Sequence, residues 1–406
     1  MTTIRLTEDD QRLIFEEQGK TQVRCCVEKT TEAPATSLVT FMYLNKGAAN
    51  VVFKIHPWAH TSSATPILFV DVVFGDNLCY TAASVHGQHL MGHILRVSRG
   101  ESKHLTSMEI IQGFETAIRP LFLPGTFETI PTDPAPQSPP GTTVTVQVDA
   151  DLTKHLMDHE GVILLPDVMQ HLYTTANFAK PPARECWGIL LPDMSPVPGR
   201  SVTLEIKPKW LAQSPNAPPK AIRCRTCAMQ VFRTKKKDTY ICPLQLLHGA
   251  SLRSWVRTMV LRQVGPRAPG EDRSTIIADN FDAVVSSIVE GLLDYLTAGD
   301  GFDLLRHLLK LQKTLDPLGV LNRPQQGPCV KLFDHNLRLA MTLRDCSLFI
   351  KVAYNASGVT DITSKLGDLD FKSAEKIADW TEKERQLLVE NAYTTTDGPD
   401  CWLQQG

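Results

Sequence analysis

Two lysines and a glutamate alternate through the stretch Glu205-Ile-Lys-Pro-Lys209. Because alternate side chains of a strand share a face, Glu205, Lys207 and Lys209 are expected to point the same way. Lysine is a compact point charge on a flexible stem, so two lysines at the end of an apolar strand suit a site that meets phosphate. An exposed strand end with a solvated ion pair explains the same pattern, and the stretch alone leaves both interpretations open.

Two aspartates alternate with apolar residues in Leu366-Gly-Asp-Leu-Asp-Phe-Lys372. An extended segment would place Asp368 and Asp370 on one face. Paired carboxylates there offer the hard oxygen ligands that Mg²⁺ prefers. Lys372 and Lys376 follow four residues apart, which is the spacing of neighbours on one helix face. The alternative is an ordinary acidic turn that caps the N-terminus of a helix.

A single aspartate stands at the charged start of the apolar run Arg344-Asp-Cys-Ser-Leu-Phe-Ile350. The carboxylate of Asp345 can take the proton from an attacking hydroxyl group. A turn residue that precedes a strand is the simpler explanation of a lone aspartate, and this segment alone does not exclude it.

Small residues separate two strand-like runs at Gly47-Ala-Ala-Asn50. Without bulky side chains, a backbone can approach a phosphate group closely. The segment is not a Walker motif, and a plain hairpin turn is the alternative interpretation.

Cysteine and histidine recur with the spacing of a zinc site. Cys224, Cys227, Cys242 and His248 form the pattern C-x2-C-x14-C-x5-H. Basic residues crowd the same region: Arg223, Arg225, Arg233 and Lys235 to Lys237. The pattern suggests a rival function, a small zinc-stabilised module that grips an anionic partner. Alternatively, Cys242 belongs to a core strand or turn and binds no metal.

Hydrophobic periodicity predicts the elements that position these residues. Strands are predicted over 37–44, 50–55, 66–74, 93–97, 142–148 and 201–206, and the first four suggest a mostly antiparallel sheet. Five prolines within 131–140 predict an exposed loop. Apolar residues three and four apart predict amphipathic helices over 276–296 and 302–315, with Gly299 as a stop between them.

Length and charge limit the classes of function. A chain of 406 residues with 42% hydrophobic and 21% charged residues is globular and long enough for two domains. A net charge of -2 gives no general attraction to nucleic acid or to an anionic membrane, so a local basic cluster must hold any polyanion. The apolar runs are too short for a transmembrane helix, and residues 1–18 lack the apolar core of a signal peptide. We therefore expect an intracellular protein, cytoplasmic or nuclear, with mostly free thiols.

Taken in chain order, these segments resemble the inositol-pentakisphosphate 2-kinase family. The matching segments are Gly47-Ala-Ala-Asn50, Ile94-Leu-Arg-Val97, Ile189-Leu-Leu-Pro-Asp193, Leu204-Glu-Ile-Lys-Pro-Lys209, Cys224-Arg-Thr-Cys227, Cys242-Pro-Leu244, Arg344-Asp-Cys-Ser-Leu348 and Asp368-Leu-Asp-Phe-Lys372. The Lys-Pro-Lys, Asp-Cys-Ser and Asp-Leu-Asp-x-Lys elements are specific to the family when they occur in this order.

The resemblance implies an α+β chain with a two-lobed, protein-kinase-like fold. Residues 1–190 would form a β-rich ATP-binding lobe, and residues 191–406 a larger, helix-rich lobe for catalysis and inositide binding. The implied reaction uses ATP and Mg²⁺ to phosphorylate the 2-hydroxyl of inositol 1,3,4,5,6-pentakisphosphate, which gives inositol hexakisphosphate (phytate). We accordingly expect small-molecule substrates, a monomer, and neither nucleic acid nor membrane as a partner.

The resemblance also implies roles for individual residues. Lys207 would contact the transferred phosphate, Asp345 would accept the hydroxyl proton, and Asp368 would bind Mg²⁺. The residues implied to bind ATP are Gly47, Ala48, Ala49, Asn50, Arg96, Leu191 and Asp193. Those implied to bind inositol phosphate are Lys209, Lys372 and Lys376.

Some positions depart from the family pattern. Met229 stands where the family often has histidine, Gln245 stands where it has aspartate, and Arg233 would replace an ATP-site lysine. The family's Asn-Asn pair has no evident counterpart. These departures indicate a divergent member, such as a fungal one. They also keep open a second hypothesis, a non-catalytic scaffold that binds inositol phosphates on the same fold.

Overall fold

The computed structural model describes ten stretches of the chain: residues 22–28, 35–47, 49–74, 80–99, 105–130, 143–178, 186–233, 239–264, 281–327 and 329–404. The predicted proline-rich loop at 131–140, the basic run at 235–237 and the predicted ATP contact Ala48 lie outside them.

The described residues form thirteen β-strands and eight α-helices. The strands, β1 to β13, are Gln22–Glu28, Leu38–Lys46, Asn50–Pro57, Ile67–Phe74, Tyr80–Ser84, His93–Ser98, Gly125–Thr129, Val144–Val148, Glu160–Leu164, Trp187–Pro192, Ser201–Ile206, Ser347–Asn355 and Gly358–Gly367. The helices, α1 to α8, are Ser107–Gly113, Pro166–Thr175, Arg225–Val231, Arg253–Val264, Phe281–Thr297, Asp300–Leu315, Cys329–Leu343 and Lys376–Val389. Together they confirm the α+β class.

The chain divides into two units, and each unit is discontinuous in sequence. The first unit contains Met1–Phe114 and Met157–Asp193, and the second contains Glu115–Leu156 and Met194–Gly406. The hairpin of β7 and β8 belongs to the second unit, where β7 packs against α7. The assignment of ATP binding to residues 1–190 and of catalysis to residues 191–406 stays a prediction.

Seven strands of the first unit close into a barrel. Their order is β1-β9-β10-β6-β3-β2-β4, and β4 pairs back with β1, while β5 pairs with β4. Only the pairing of β1 with β9 is parallel among these described strands, which confirms the prediction of a mostly antiparallel sheet. The predicted strands correspond to β2, β3, β4 and β6, whereas β1, β9 and β10 had no predicted counterpart.

The barrel core follows from the two-residue period of its strands. Alternate residues point to opposite faces, so one face of each strand can be apolar throughout. The larger buried cluster takes side chains from all seven barrel strands and from α2; among them are Cys26, Phe41, Phe53, Phe69, Leu95, Val162, Leu190 and Leu172. Every barrel strand contributes to this cluster, so the cluster lies on the face of the sheet that points inward when the barrel closes.

The second unit has a three-stranded antiparallel sheet at its centre. Its order is β11-β12-β13, and β11 has the predicted bounds, 201–206. Helix α4 packs on β11, and α5 packs on β12 and β13. The buried residues Leu204, Ile350 and Leu366 belong to these three strands, so the sheet is anchored in the unit's core.

Helices α5 and α6 of the second unit confirm the two helices that the apolar periodicity predicts. Helix α5 ends at Thr297, two residues before Gly299, and α6 covers Asp300–Leu315. The part of the first predicted helix at 276–280 lies outside the described residues. Among the described helices, none combines the length and the apolar character that crossing a membrane requires.

Candidate functional site

Three strand ends in the second unit bring predicted residues together. Strand β11 ends at Ile206, β12 begins at Ser347, and β13 ends at Gly367. The register pairs Ser347 with Gly367 across β12 and β13. The residues that follow the two outer strands, Lys207 and Asp368, therefore lie beside Ser347.

Lys207 is the centre of this group. Its Nζ lies 2.6 Å from Ser347 Oγ, 3.2 Å from Asp368 Oδ2 and 3.2 Å from Glu205 Oε1. Burial alone would lower the pKa of Lys207, but the charges of Asp368 and Glu205 outweigh burial and raise that pKa above its ordinary value. The ammonium is therefore charged at neutral pH. We call Glu205, Lys207, Ser347 and Asp368 the Lys207 cluster.

Ser347 links the two carboxylates of the Lys207 cluster. Its Oγ lies 2.9 Å from Glu205 Oε1 and 2.9 Å from Asp368 Oδ2. A hydroxyl group has one hydrogen, so Ser347 donates to one carboxylate at a time and accepts from Lys207. Ser347 is fully buried, whereas the side chains of Glu205 and Asp368 are 49% and 58% exposed. The exposed carboxylate oxygens remain accessible to a cation.

Asp345 lies between two lysines in the tight turn that joins α7 to β12. Lys209 Nζ is 2.9 Å from its Oδ1, and Lys372 Nζ is 2.9 Å from its Oδ2. Burial would raise the pKa of Asp345, but Lys372 and Lys209 together lower that pKa from 3.8 to about 2. Asp345 is thus ionised at neutral pH, with both oxygens occupied by ammonium groups. We call these three residues the Asp345 cluster.

Cys346 separates the two clusters along the chain. Its side chain is fully buried, and burial raises the pKa of the Cys346 thiol to about 12. The thiolate is the nucleophilic form of cysteine, so a buried, protonated thiol excludes Cys346 as a covalent catalyst. The chemistry of this region rests on lysines and carboxylates.

Two site residues adopt a left-handed backbone conformation. Lys209 has φ of 52° and Asp368 has φ of 56°, a region that costs a residue with a side chain roughly 1–2 kcal/mol. The left-handed turn at Asp368 interrupts the extended segment that we predicted through Asp370. Such strain persists only where surrounding contacts hold it, and it concentrates at functional sites.

Gln312 of α6 holds the strained turn at Lys209. Its Nε2 donates to the Lys209 carbonyl at 2.8 Å, and its Oε1 accepts from the Leu211 N–H at 2.9 Å. The Gln312 side chain is 1% exposed, and its bond to Leu211 is buried while its bond to Lys209 is partly buried. One amide therefore fixes the backbone on both sides of Trp210.

Trp210 connects the turn at Lys209 to the turn at Asp345. The Arg344 guanidinium lies 3.5 Å and the Arg225 guanidinium 4.4 Å from the centre of the Trp210 ring. Arg344 also pairs with buried Asp316 at 2.5 Å, and Arg225 pairs with buried Glu384 at 2.7 Å. We call Trp210 and these two ion pairs the buried charge network. It fixes the residue that follows Lys209 and the residue that precedes Asp345.

Lys372 and Lys376 do not share one helix face, so the predicted helical placement of this pair was wrong. Helix α8 begins at Lys376, and Lys372 lies before it, in a segment tied to α7. The Lys372 N–H donates to Thr342 Oγ1 at 3.2 Å, and Arg338 Nε donates to the Lys372 carbonyl at 2.5 Å. Lys372 contacts Asp345, whereas Lys376 is exposed at the helix start.

In the first unit, the structure brings Asn50 and Arg96 together. They lie on the paired strands β3 and β6. With the Asn50 amide oriented to satisfy both groups, its oxygen accepts from Arg96 Nη2 at 2.7 Å and from Nε at 3.2 Å. The Gly47 N–H donates to the Asn50 carbonyl, and Arg99 N–H donates to the Ala49 carbonyl, both at 2.8 Å. Strands β2 and β3 are paired antiparallel on either side of the predicted phosphate loop, and Arg96 contacts Asn50 at its end; phosphate binding by this loop stays a prediction.

Two further predicted ATP residues follow in the first unit. Leu191 is 5% exposed on β10, where it pairs with Ile94 of β6. Asp193 donates its N–H to the Gly92 carbonyl at 2.7 Å, and its carboxylate pairs with Lys54 of β3 at 3.2 Å. Sequence reasoning did not single out Lys54, although its place on a strand next to the hairpin was predictable.

Arg233 lies past the C-terminal end of α3 and is exposed. Within the described residues, the hydrogen bonds and ion pairs of Lys207 and Asp345 do not involve it. Its predicted role as a substitute for an ATP-site lysine stays a prediction.

The predicted cysteine and histidine set was wrong in one member. Cys224, Cys227 and Cys242 do converge, but the fourth converging side chain is that of Cys401. The ring of His248 instead stacks on Trp402, with ring centres 4.2 Å apart. Spacing could not reveal Cys401, because it lies 159 residues beyond Cys242.

Sequence reasoning missed Ser347, Trp210 and Gln312. Ser347 carried a signal, because it stands two residues after Asp345 in the Asp-Cys-Ser motif. Gln312 carried a weaker signal, since it is a polar residue on the apolar face of α6 beside Leu308 and Leu311. Trp210 carried none, because an aromatic residue after a strand is ordinary core.

Comparison with known proteins finds matches to this chain within one family. A family model described as Inositol-pentakisphosphate 2-kinase matches residues 43–386. Among similar proteins, the inositol-pentakisphosphate 2-kinase of Yarrowia lipolytica is 30% identical over 204 residues, covering 50% of this chain and 58% of the relative. The protein of that name in Eremothecium gossypii is 27% identical over 189 residues, covering 46% and 55%. The one in Debaryomyces hansenii is 24% identical over 216 residues, covering 46% and 50%. The chain thus spans about half the length of the curated relatives it matches.

Proposed function

Since the chain belongs to the inositol-pentakisphosphate 2-kinase family, we propose that it transfers the γ-phosphate of ATP to the 2-hydroxyl of inositol 1,3,4,5,6-pentakisphosphate. The product is inositol hexakisphosphate. The observation that carries the proposal is the Asp345 carboxylate held between Lys209 and Lys372. A carboxylate weakens the binding of a polyanion to its site. Its presence between two lysines is therefore explained by a role in the reaction.

In the free protein, the Asp345 carboxylate pairs with both Lys209 and Lys372, and the cluster keeps one positive charge in excess. A phosphorylated inositol competes for the ammonium groups of Lys209 and Lys372 with several charges of its own. As the lysines turn to phosphate, the carboxylate loses its partners, and its pKa rises from about 2 towards the ordinary value. Asp345 is then free to accept the hydrogen of the 2-hydroxyl while that oxygen attacks.

Lys207 supplies positive charge where phosphate is transferred. Phosphoryl transfer needs charge neutralisation and in-line placement, with little covalent chemistry from the protein. The raised pKa of Lys207 keeps it charged throughout the pH range in which the reaction runs. Ser347 fixes the Lys207 ammonium beside Asp368 through its buried hydroxyl.

Asp368 suits the role of Mg²⁺ ligand. Its carboxylate is a hard oxygen donor, it is 58% exposed, and Glu205 offers a second carboxylate on the other side of Ser347. A Mg²⁺ ion held by these two carboxylates would supply positive charge to offset the negative charge that develops on the transferred phosphate.

ATP contacts are proposed for the hairpin and strands of the first unit. The backbone of Gly47, Ala49 and Asn50 is free of bulky side chains, and Arg96 lies directly behind it. Leu191 and Asp193 are proposed to contact the adenine. Ala48 and Arg233 are also retained as proposed ATP contacts, and Lys376 as an inositide contact. The finer fold assignment, a protein-kinase-like inositol-phosphate kinase, is likewise part of this proposal.

We further propose that the protein acts as a monomer inside the cell, in the cytoplasm or nucleus, and binds neither nucleic acid nor membrane. The net charge of -2 supports the last point, because it provides no general attraction to a polyanionic surface. A non-catalytic inositide scaffold is disfavoured, because such a protein gains nothing from a carboxylate between its phosphate-binding lysines.

The test is an assay with Mg-ATP and a panel of inositol phosphates that differ in which hydroxyls are free. We expect conversion of the pentakisphosphate with a free 2-hydroxyl into the hexakisphosphate, and no conversion of a pentakisphosphate whose 2-position already carries phosphate. Tight binding of the panel without ADP formation would instead establish the scaffold.

A further inference from the structure

Helix α7 contacts both partners of the Asp345–Lys372 ion pair, although these two residues lie 27 positions apart in the chain. Asp345 follows the C-terminal end of α7, and its N–H donates to the Thr342 carbonyl at 3.0 Å. The Lys372 N–H donates to Thr342 Oγ1 at 3.2 Å. One residue of α7 therefore meets the backbone of both the carboxylate and the lysine.

Thr342 is held in place for this double contact. Its side chain is buried, and its hydroxyl donates to the Arg338 carbonyl, one turn earlier on α7, at 2.9 Å. The Asp370 carbonyl lies farther away, at 3.4 Å. Because the hydroxyl hydrogen is engaged within the helix, the lone pairs of Oγ1 remain for the Lys372 N–H. The hydroxyl thus fixes the backbone of Lys372 against α7.

Arg338 holds the other polar group of the Lys372 backbone. Its Nε donates to the Lys372 carbonyl at 2.5 Å, and its guanidinium lies 4.1 Å from the centre of the Phe371 ring. The planar fork of arginine can stack on a ring and donate a hydrogen bond at the same time. Lys372 therefore has both its N–H and its carbonyl bonded to α7, while its ammonium is directed to Asp345.

We propose that Thr342 and Arg338 are positioning residues, which set the place where the Lys372 ammonium meets the phosphorylated inositol relative to Asp345. The inference rests on the proposed function, because it concerns the same site. The general need to bond backbone groups does not explain the choice of partners. Both partners come from the helix whose end carries Asp345, and the buried side chain of Leu369 already anchors the segment.

A fixed backbone limits where the Lys372 ammonium can go. The lysine stem is flexible, so the ammonium can turn from Asp345 to a phosphate while its Cα stays in place. The bound phosphate then lies within reach of one point on α7, and the same helix places Asp345. Loss of the contacts should weaken inositide binding more than the chemical step, because Asp345 itself is unchanged.

The kinetics of Arg338→Met test the proposal. Methionine keeps an unbranched stem over Phe371 and removes the donor to the Lys372 carbonyl. Since a displacement of about 1 Å can cost roughly 10²-fold at a reacting site, KM for the inositide should rise roughly tenfold. The value of kcat should stay within roughly twofold, as expected when binding alone is weakened. A kcat that falls while KM stays unchanged would overturn the proposal.

A double-mutant cycle with Lys372→Met separates positioning from direct contact. If Arg338 acts through Lys372, adding Arg338→Met to Lys372→Met should leave KM as it is in Lys372→Met. Independent increases would mean that Arg338 acts on the substrate by itself, which would refute a positioning role. Arg306→Met on α6 is the matched control. It removes an exposed guanidinium that lies 5.6 Å from the centre of the Phe302 ring, and KM should not change.

Thr342 provides a second measurement. Thr342→Val keeps the shape of the side chain but lacks the hydroxyl, so KM should rise as in Arg338→Met. Thr342→Ser keeps the hydroxyl and should have a KM close to that of the unmodified chain. Equal KM values for the two variants would contradict the role of the hydroxyl. If Thr342→Val does not fold, Arg338→Met decides, because Arg338 is only partly buried.

Calorimetry with inositol pentakisphosphate distinguishes failure of this inference from failure of the proposed function. If the unmodified chain binds the pentakisphosphate but forms no ADP, the proposed function fails, and the same cycle is measured on Kd. If the unmodified chain forms hexakisphosphate and Arg338→Met binds the pentakisphosphate equally tightly, only the positioning role fails. Absence of binding to the unmodified chain would overturn both.

Discussion

The second unit contains two sets of charged residues that differ in exposure, the Asp345 cluster and the buried charge network. In the Asp345 cluster, the Asp345 side chain is 53% exposed and both of its lysines are partly exposed. In the buried charge network, the Arg344–Asp316 and Arg225–Glu384 pairs are each at most 9% exposed. The exposed pairs can exchange one partner for a ligand, whereas the buried pairs cannot.

The difference assigns separate tasks to the two sets. An exposed ion pair contributes only about 0–1 kcal/mol, so opening it for a phosphate costs little. Breaking a buried pair leaves an uncompensated charge and costs roughly 3–5 kcal/mol. The buried network therefore fixes the position of Lys209 and Asp345, and the exposed cluster remains free to react.

The largest expected effect is on activity, from Asp345→Asn. The amide cannot accept the hydroxyl proton, so kcat should fall roughly 10²–10⁴-fold, the usual contribution of a general base. The free energy of unfolding should change by less than about 1 kcal/mol, because the lost pairs are exposed. Steady-state kinetics and urea denaturation measure the two quantities.

Asp379→Asn is the matched control for that variant. It removes an exposed carboxylate that pairs with Lys383 at 2.7 Å on α8. Unchanged kcat is expected there. A kcat for Asp345→Asn equal to that of this control would remove Asp345 from the mechanism.

Asp316→Asn, in contrast to Asp345→Asn, should have a large effect on stability. It leaves Arg344 buried without a counter-charge, so the free energy of unfolding should fall by roughly 3–5 kcal/mol. The amide oxygen can still accept the Gly319 N–H, which isolates the loss of charge. Asp334→Asn, which breaks the more exposed pair with Arg323, should cost less than about 1 kcal/mol. Equal losses in the two variants would mean that burial does not distinguish the pairs.

Gln312→Leu should have an intermediate effect on stability. The Lys209 carbonyl and the Leu211 N–H would lose their buried partner, at a cost of roughly 1–3 kcal/mol in the free energy of unfolding. KM for the inositide should rise as well, because the turn that carries Lys209 loosens. The exposed Gln386→Leu on α8 should lie within about 0.5 kcal/mol of the unmodified protein. If KM is unchanged when stability falls, the turn does not position Lys209.

The smallest expected effect is a pH dependence of stability. The pKa of Asp345 is about 2 in the folded protein against an ordinary 3.8, so the folded state binds fewer protons in this range. The stabilisation is therefore complete above about pH 3.8 and disappears as the pH falls towards 2. The difference in unfolding free energy between the unmodified chain and Asp345→Asn should be constant from pH 6 to 5 and shrink towards pH 3. A difference that grows on acidification would mean that the lysines do not lower this pKa.

Periodicity predicted β2, β3, β4, β6, β11 and both long helices, because their apolar faces repeat locally. It did not reveal the closure of the barrel, since the pairing of β4 with β1 joins strands whose contact depends on the whole sheet. Motifs named Lys207, Asp345 and Asp368, but they did not indicate that Lys207 and Lys209 serve different carboxylates. That separation depends on the left-handed turn at Lys209, and the turn is held by Gln312 from a helix about a hundred residues further along the chain.

The account depends most directly on the lysines of the Asp345 cluster exchanging their carboxylate for substrate phosphate. Amine labelling followed by mass spectrometry measures this, with and without saturating inositol pentakisphosphate. Lys209 and Lys372 should lose reactivity when the inositide binds. Lys331 is the internal control. It is exposed near the start of α7, and by helix rise it lies about 18 Å from the end of α7 next to Asp345. It should react equally in both samples. Undiminished labelling of Lys209 and Lys372, under conditions where calorimetry shows the inositide bound, would contradict the account.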